Sequence, residues 1–289
     1  MTQNLSQAKI TFIGAGSMAE AIVRGLVSGS FGDPARIVVL NRSDRAKLES
    51  LHRQYGVSFE TEADRRDEAI RSADVVVLAF KPKDAVEGLL SLKPLLRKEQ
   101  LLVSVIAGMS IDTMEGILGT SGQPIVRTMP NTSSTIGLGA TGISFSSGVS
   151  AEQKLLATQM FESTGIVSVV KESLLDIVTG VSGDGPAYIY YMMEAMIEGA
   201  IRGGLEPEEA RKLTVQTVLG AAKMVETTGE APAELRRKVT SPNGTTEAAI
   251  HTLDSLGFPE AVTRAVLRAA ERAGEMGAAI SASAASHTK

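Results

Sequence analysis

Short runs of β-branched and other apolar residues recur along the first half of the chain, separated by stretches in which apolar positions return every three or four residues. The runs are Lys9 to Gly14 (KITFIG), Arg36 to Leu40 (RIVVL), Asp74 to Phe80 (DVVVLAF), Leu101 to Ala107 (LLVSVIA) and Ile125 to Met129 (IVRTM). They are nearly continuously apolar rather than alternating, which is the pattern of strands covered on both faces. Between them, Met18 to Val27 and Asp44 to Gln54 carry helical spacing, the second with Ser43 in the N-cap position. This rhythm predicts βαβ units around a mainly parallel, doubly wound sheet. Weaker strand patterns at Thr141 to Ser146 and Ile166 to Val170 are separated by a predicted helix from Ala151 to Ser163.

Beyond about Lys171 the strand pattern stops. Helical spacing covers Leu174 to Leu205, Glu208 to Thr227, Ala233 to Val239, Thr245 to Leu256 and Pro259 to Ile280, with Gly229 as a stop and Pro259 at a first helical position. The small-residue tail from Ser281 is expected to fray. Gly185 to Ile201 (GPAYIYYMMEAMIEGAI) is apolar nearly all the way round. Glu194 and Glu198 argue against a membrane span, and burial in the fold or in a subunit interface suits such a helix.

Composition narrows the partners. The chain has 289 residues, 43% hydrophobic and 21% charged, enough for two modest cores. Its net charge is −4 and no basic run is long enough to track a phosphate backbone, which argues against nucleic acid. The absence of cysteine excludes disulfides, thiol nucleophiles and thiolate metal sites. His52, His251 and His287 are scattered without ligand spacing, so no metal site is expected. The polar start MTQNLSQAK does not resemble a signal peptide, and a cytoplasmic location is the expectation.

Candidate chemistry begins at the first βα junction. Gly14, Gly16 and Ala19 form G-x-G-x-x-A, with Ser17 and Met18 opening the helix that follows. Gly14 suits a tight turn, Gly16 lets the backbone approach a pyrophosphate, and Ala19 allows close helix–strand packing. The free amides and dipole of the helix would face the phosphates. A dinucleotide-binding, Rossmann-type domain over residues 1–170 follows, with a helical domain over 171–289. The second strand ends in Asn41-Arg42-Ser43, with no carboxylate to hold a ribose 2′-hydroxyl. Arg42 offers a charged fork to a 2′-phosphate, which favours NADP (as NADPH), with NADH as a second accepted donor. Three further loops at strand ends should line the same crevice: Ala79, Lys81 and Pro82; Ala107 and Gly108; Pro130 and Asn131. Gly108 is small enough for close ligand approach, and Asn131 can both donate to and accept from a carboxamide.

In the helical half, the segment Val239 to Thr246 (VTSPNGTT) carries no charge. Pro242-Asn243-Gly244 reads as a turn in which Asn and Gly tolerate left-handed conformations. A helix starting at Thr245 or Thr246 then leaves free amides suited to a small carboxylate, while the threonine hydroxyls remain available to orient a second polar atom. Its bland counterpart is a capped helix–helix turn.

These stretches together carry a resemblance. VTSPNGTTEAAIHTLD is similar to the signature of pyrroline-5-carboxylate reductases around a Ser-Pro-Gly-Gly-(Thr/Ala)-Thr loop. SGDGPAYIYYMMEAM (Ser182 to Met196) resembles their Ser-Gly-Ser-Gly-Pro-Ala-Tyr segment, and FIGAGSMAEAI is shared more widely among dehydrogenases. The resemblance spans nearly the whole chain. It implies reduction of 1-pyrroline-5-carboxylate to proline by NAD(P)H, the last step of proline biosynthesis. It also implies that Thr246 is the catalytic residue on the ring nitrogen, that Ser241, Gly244 and Thr245 hold the carboxylate, and that Val181, Ser182 and Gly183 lie beside nicotinamide and substrate. A homodimer is implied in which one site can draw on two subunits, with a decamer of five dimers as a further assembly. Two positions depart from the pattern: Asn243 replaces a glycine, and Asp184 places an anion where the family has a small neutral residue. Two other functions stay open on sequence alone: a non-enzymatic NADP-binding regulator derived from such a reductase, and a β-hydroxyacid-type dehydrogenase, whose chemistry calls for a helix lysine and against which the SPNGTT loop argues.

Overall fold

The computed structural model describes residues 7–29 and 32–287; most of the polar start and the last two residues of the tail lie outside the described residues. Eight strands form one sheet: β1 (Ile10–Ile13), β2 (Ile37–Leu40), β3 (Ser58–Phe59), β4 (Val75–Leu78), β5 (Leu101–Ser104), β6 (Ile125–Met129), β7 (Gly139–Phe145) and β8 (Gly165–Val169). Their spatial order is β3-β2-β1-β4-β5-β6-β7-β8. Every neighbouring pair is parallel except β6 and β7. The chain builds outward from β1 through β2 to β3, then returns to β4 on the other side of β1. That reversal opens a crevice at the carboxyl ends of β1 and β4, where ligands of such sheets bind.

The helices α1 (Ser17–Ser28), α2 (Arg45–Tyr55), α3 (Ala63–Ser72), α4 (Ala85–Leu92), α5 (Ile111–Leu118) and α6 (Ala151–Glu162) cover the sheet. Alternation within β4 explains the uninterrupted apolar runs. Val75 and Val77 join one buried layer with Phe12, Ile22, Leu26 and Phe161, while Val76 and Leu78 join another with Leu89, Met114 and Ile117. A strand with a core on each face has no position left for a polar side chain.

Two details differ from the sequence-based expectation for this half. The N-cap of α2 is Asp44, not Ser43; its Oδ1 accepts from the Lys47 amide at 2.9 Å. Asn41 Oδ1 accepts from both the Ser43 and Asp44 amides, which folds the chain into an Asx turn and starts the helix one residue later. The two-residue β3 is too short to leave a pattern.

The chain divides into two compact units, one of Met1–Asp184 with Arg268–Lys289 and the other of Gly185–Leu267. The first also contains α7 (Leu175–Val178) and a π-turn over Thr179–Gly183. The second contains α8 (Gly185–Arg202), α9 (Pro207–Thr228), α10 (Pro232–Lys238), α11 (Thr245–Ser255) and the start of α12 (Phe258–His287). The tail does not fray at Ser281: α12 continues to His287. Ile280 and Ala284 are buried in the layer that holds Met114 and Ile117, and the Thr113 and Ser281 hydroxyls hydrogen-bond at 2.6 Å. Apolar side chains of the second unit, among them Tyr190, Tyr191, Leu213, Leu219 and Met224, lie exposed on the single chain. No helix among the described residues is long and apolar enough to cross a membrane.

Candidate active site

The carboxyl end of β1 turns sharply. The Gly14 amide donates to Leu40 O at 2.8 Å, and the residue sits at φ +119° with a hypothetical Cβ only 2.4 Å from Ala79 O. A side chain is excluded there by both conformation and space. Gly16 caps α1 from extended backbone, and among the described residues no side chain makes a cap hydrogen bond there. A Cβ at Gly16 would meet nothing within 4 Å. Protein packing therefore does not require glycine at this position, whereas close approach of a phosphate would. Ser17 is exposed, Met18 half-buried and Ala19 fully packed in the core. The one carboxylate in the first turn of α1, Glu20, is paired with Lys47 at 2.5 Å and also accepts from Tyr55 OH. Burial, followed by the nearby Glu20 charge, holds the Tyr55 phenol above its usual pKa. With its carboxylate neutralised, the open N-terminus of α1 fits the pyrophosphate of a dinucleotide.

Beside it, Asn41 has committed its oxygen to the Asx turn. Arg42 and Ser43 are exposed, and Arg42 has no ion pair among the described residues. The neighbouring Arg45 and Lys47 are engaged by Glu49 and Glu20. Among the described residues this leaves Arg42 as the unpaired cation of the β2 tip.

The remaining loops divide by role. Ala79 is half-buried against the Gly14 turn, and Lys81 is exposed before a 3₁₀ turn that begins at Pro82. Gly108, at φ +79°, follows Ala107, and a Cβ there would lie 3.1 Å from Gly277 N and 3.5 Å from Ala273 O. Its small size is thus needed by the approach of α12, a reason the sequence did not suggest. Pro130 is buried at the end of β6. Asn131 is 8% exposed; its Nδ2 donates to Ser182 O at 2.9 Å, and its Oδ1 accepts from the Ala140 amide at 3.2 Å. Rather than being free for a carboxamide, Asn131 clamps the π-turn onto β6.

That π-turn carries Val181, Ser182 and Gly183. The Asp184 amide closes it onto Thr179 O at 2.8 Å. Val181 is 60% exposed, and Asp184 is exposed without an ion pair among the described residues. Periodicity could not find this feature, because one extra residue per turn leaves the apolar spacing nearly helical; π-turns of this kind concentrate at functional sites.

In the second unit, α11 begins at Thr245 behind the turn Ser241–Gly244. Asn243 takes φ +60°, the only left-handed non-glycine among the described residues, as an Asn can. Gly244 does not share that conformation, being extended at φ −87°. Ser241 O accepts from the Gly244 amide at 3.0 Å, and Glu247 Oε2 accepts from the Asn243 amide at 2.7 Å. Among the described residues no side chain caps α11. The hydroxyls of Thr245 and Thr246 have no hydrogen-bond partner among the described residues. Ser241 and Thr245 are exposed, Gly244 and Thr246 half-buried. A capped helix–helix turn, the bland alternative, would have consumed these groups. Among the described residues no cluster of His, Asp or Glu could hold a metal ion.

Comparison with known proteins covers both units. Residues 172–276 match the family model for pyrroline-5-carboxylate reductase dimerisation, and residues 9–108 match the model for NADP oxidoreductase, coenzyme F420-dependent. Pyrroline-5-carboxylate reductase 1 of Bacillus subtilis is 43% identical over 270 residues, covering 93% of this chain and 90% of that protein. The pyrroline-5-carboxylate reductase of Pseudomonas aeruginosa is 39% identical, covering 94% and 98% respectively. Among solved structures, a pyrroline-5-carboxylate reductase from Coxiella burnetii superimposes with a TM-score of 0.85 at 41% identity, over 93% of this chain and 98% of that one. The Plasmodium falciparum pyrroline carboxylate reductase with NADP bound gives 0.84 at 28% identity, over 94% and 99%.

Proposed function

Since the chain belongs to the pyrroline-5-carboxylate reductase family, we propose that it reduces 1-pyrroline-5-carboxylate to L-proline, the last step of proline biosynthesis, with NADPH as the preferred donor. The observation that carries this reading is the start of α11, which among the described residues has no side-chain cap and two threonine hydroxyls without a hydrogen-bond partner. Backbone amides at Gly244 and Thr245, with the Ser241 hydroxyl, would receive the substrate carboxylate. Charge-assisted hydrogen bonds of this kind are worth about 1.5–3 kcal/mol each, and the helix dipole adds about 0.3–1 kcal/mol. A small acid can therefore be held without an arginine.

The substrate is a cyclic imine, and its nitrogen is basic enough to be protonated before reduction. The iminium carbon then accepts a hydride directly, so the protein has more to position than to protonate. When bound, the reduced nicotinamide supplies that hydride. Thr246 would hold the ring nitrogen and fix which face of the ring is presented. Val181 to Gly183 would line the reacting end, kept in place by Asn131. Gly14, Gly16, Ser17, Met18 and Ala19 would cradle the pyrophosphate, with Ala79, Lys81, Pro82, Ala107, Gly108 and Pro130 along the crevice. Asn41, Arg42 and Ser43 would face the 2′-phosphate. A homodimer is the working assembly we infer from the matched dimerisation segment and the exposed apolar faces of α8 and α9; a decamer would be built from such dimers.

The cofactor preference is tested by kcat/KM with NADPH and NADH at saturating pyrroline-5-carboxylate. NADPH should be favoured, and Arg42→Ala should cut kcat/KM for NADPH about tenfold while barely moving that for NADH, as expected for loss of one charge-assisted contact. Equal loss for both cofactors would remove Arg42 from the 2′-phosphate.

A further inference from the structure

Arg127 is the only charged residue within a strand among the described residues. It stands at the centre of β6 with its side chain 9% exposed. The Nη1 donates to Glu172 Oε1 at 3.3 Å and the Nη2 to Asp176 Oδ1 at 3.1 Å. A rigid guanidinium can hold two carboxylates at once in a fixed geometry, which an ammonium cannot.

Each carboxylate reaches a different part of the crevice. Glu172 Oε1 also accepts from the Ile111 amide at 2.7 Å, and Ile111 opens α5 directly after the loop that carries Ala107 and Gly108. Asp176 lies in the first turn of α7, and α7 runs without interruption into the π-turn with Val181, Ser182 and Gly183. Its Oδ2 would lie 3.6 Å from a Cβ at Gly274 of α12. Two residues beyond the carboxyl end of β6, Asn131 holds the same π-turn from the other side through Ser182 O. The two loops that approach the reacting end are therefore tied to one strand.

A partly buried ion pair is a poor stabiliser compared with an apolar side chain of similar volume. Its presence in a strand that is otherwise built for the core calls for a role in placement. We propose that Arg127 is a positioning residue for hydride transfer: through Glu172 and Asp176 it sets the 179–183 turn and the 107–110 loop in the arrangement in which donor and imine carbon meet. The inference rests on the reductase reading given above.

The test compares wild type with Arg127→Met, Arg127→Lys and Asp176→Asn. Hydrogen exchange of the protein without ligands is the first measurement. Arg127→Met should speed exchange at 175–184 and 108–113 and leave 10–29 unchanged. In turnover, Arg127→Met should lower kcat about ten- to a hundredfold, the range expected when reacting groups are displaced by an ångström or less. The primary isotope effect with 4-deuterated NADPH should rise as hydride transfer becomes slower than product release. The Kd for NADPH should stay within about threefold of wild type, because the phosphate contacts are untouched. Arg127→Lys should recover part of kcat, and Asp176→Asn should fall between wild type and Arg127→Met.

Retained kcat together with unchanged exchange in Arg127→Met would overturn the positioning role. So would protection lost evenly across the first unit with an unaltered isotope effect, which would make the pair merely structural. Should Arg127→Met fail to fold, Arg127→Lys and Asp176→Asn decide by the same criteria. A wild-type protein that does not reduce pyrroline-5-carboxylate would remove the reductase reading itself, an outcome distinct from either of these.

Discussion

Asp184 is the residue at which this chain departs most from what its proposed substrate would favour. The side chain is exposed at the end of the π-turn and no cation of the described residues pairs with it. A like charge a few ångströms from a bound carboxylate costs about 1 kcal/mol where water screens the pair. Asp184→Ser should therefore lower KM for pyrroline-5-carboxylate about fivefold, with kcat changing less, in steady-state assays. An unchanged KM would mean that the carboxylate points away from the substrate. Asn243 is the gentler departure: it occupies the left-handed conformation that glycine would otherwise fill, so the turn survives the replacement. Both positions were visible in the sequence, but only the backbone angle distinguishes a tolerated change from a consequential one.

Among the elements, the N-terminus of α11 is the one on which the proposed chemistry leans most. Its position was legible because Pro242-Asn243-Gly244 leaves few alternatives to a turn followed by a helix. Thr246→Ala should lower turnover about a hundredfold, comparable to removing one preorganised donor from other active sites, while the Kd for NADPH measured by fluorescence stays near wild type. Full turnover in that variant would take Thr246 out of the mechanism. Other elements were less legible, for separate physical reasons. The π-turn at 179–183 was hidden because a single inserted residue hardly disturbs apolar spacing. The last two turns of α12 look like a frayed tail because alanine and serine leave little apolar pattern, yet Ile280 and Ala284 are buried in the core beside α5. The cap of α2 moved from Ser43 to Asp44 because Asn41 gathers two amides that no periodicity records.

At the scale of the whole molecule, the sheet was the most legible feature, since burial on both faces leaves an unmistakable run of Val, Ile and Leu in β1, β2, β4, β5 and β6. The G-x-G-x-x-A turn could be placed on that sheet, and the structure gives each position a reason: conformation at Gly14, open space at Gly16 and core packing at Ala19. What the sequence could not supply was the network behind the site, because Arg127, Glu172 and Asp176 are separated along the chain and meet only after folding. The central claim is that the molecule delivers a hydride to the imine carbon of pyrroline-5-carboxylate. The most direct test is to supply the purified protein with pyrroline-5-carboxylate and NADPH deuterated at the transferable C4 position, then locate the label in the product by NMR. One deuterium on C5 of proline is the predicted result; consumption of the cofactor without labelled proline, or no consumption at all, would contradict the account.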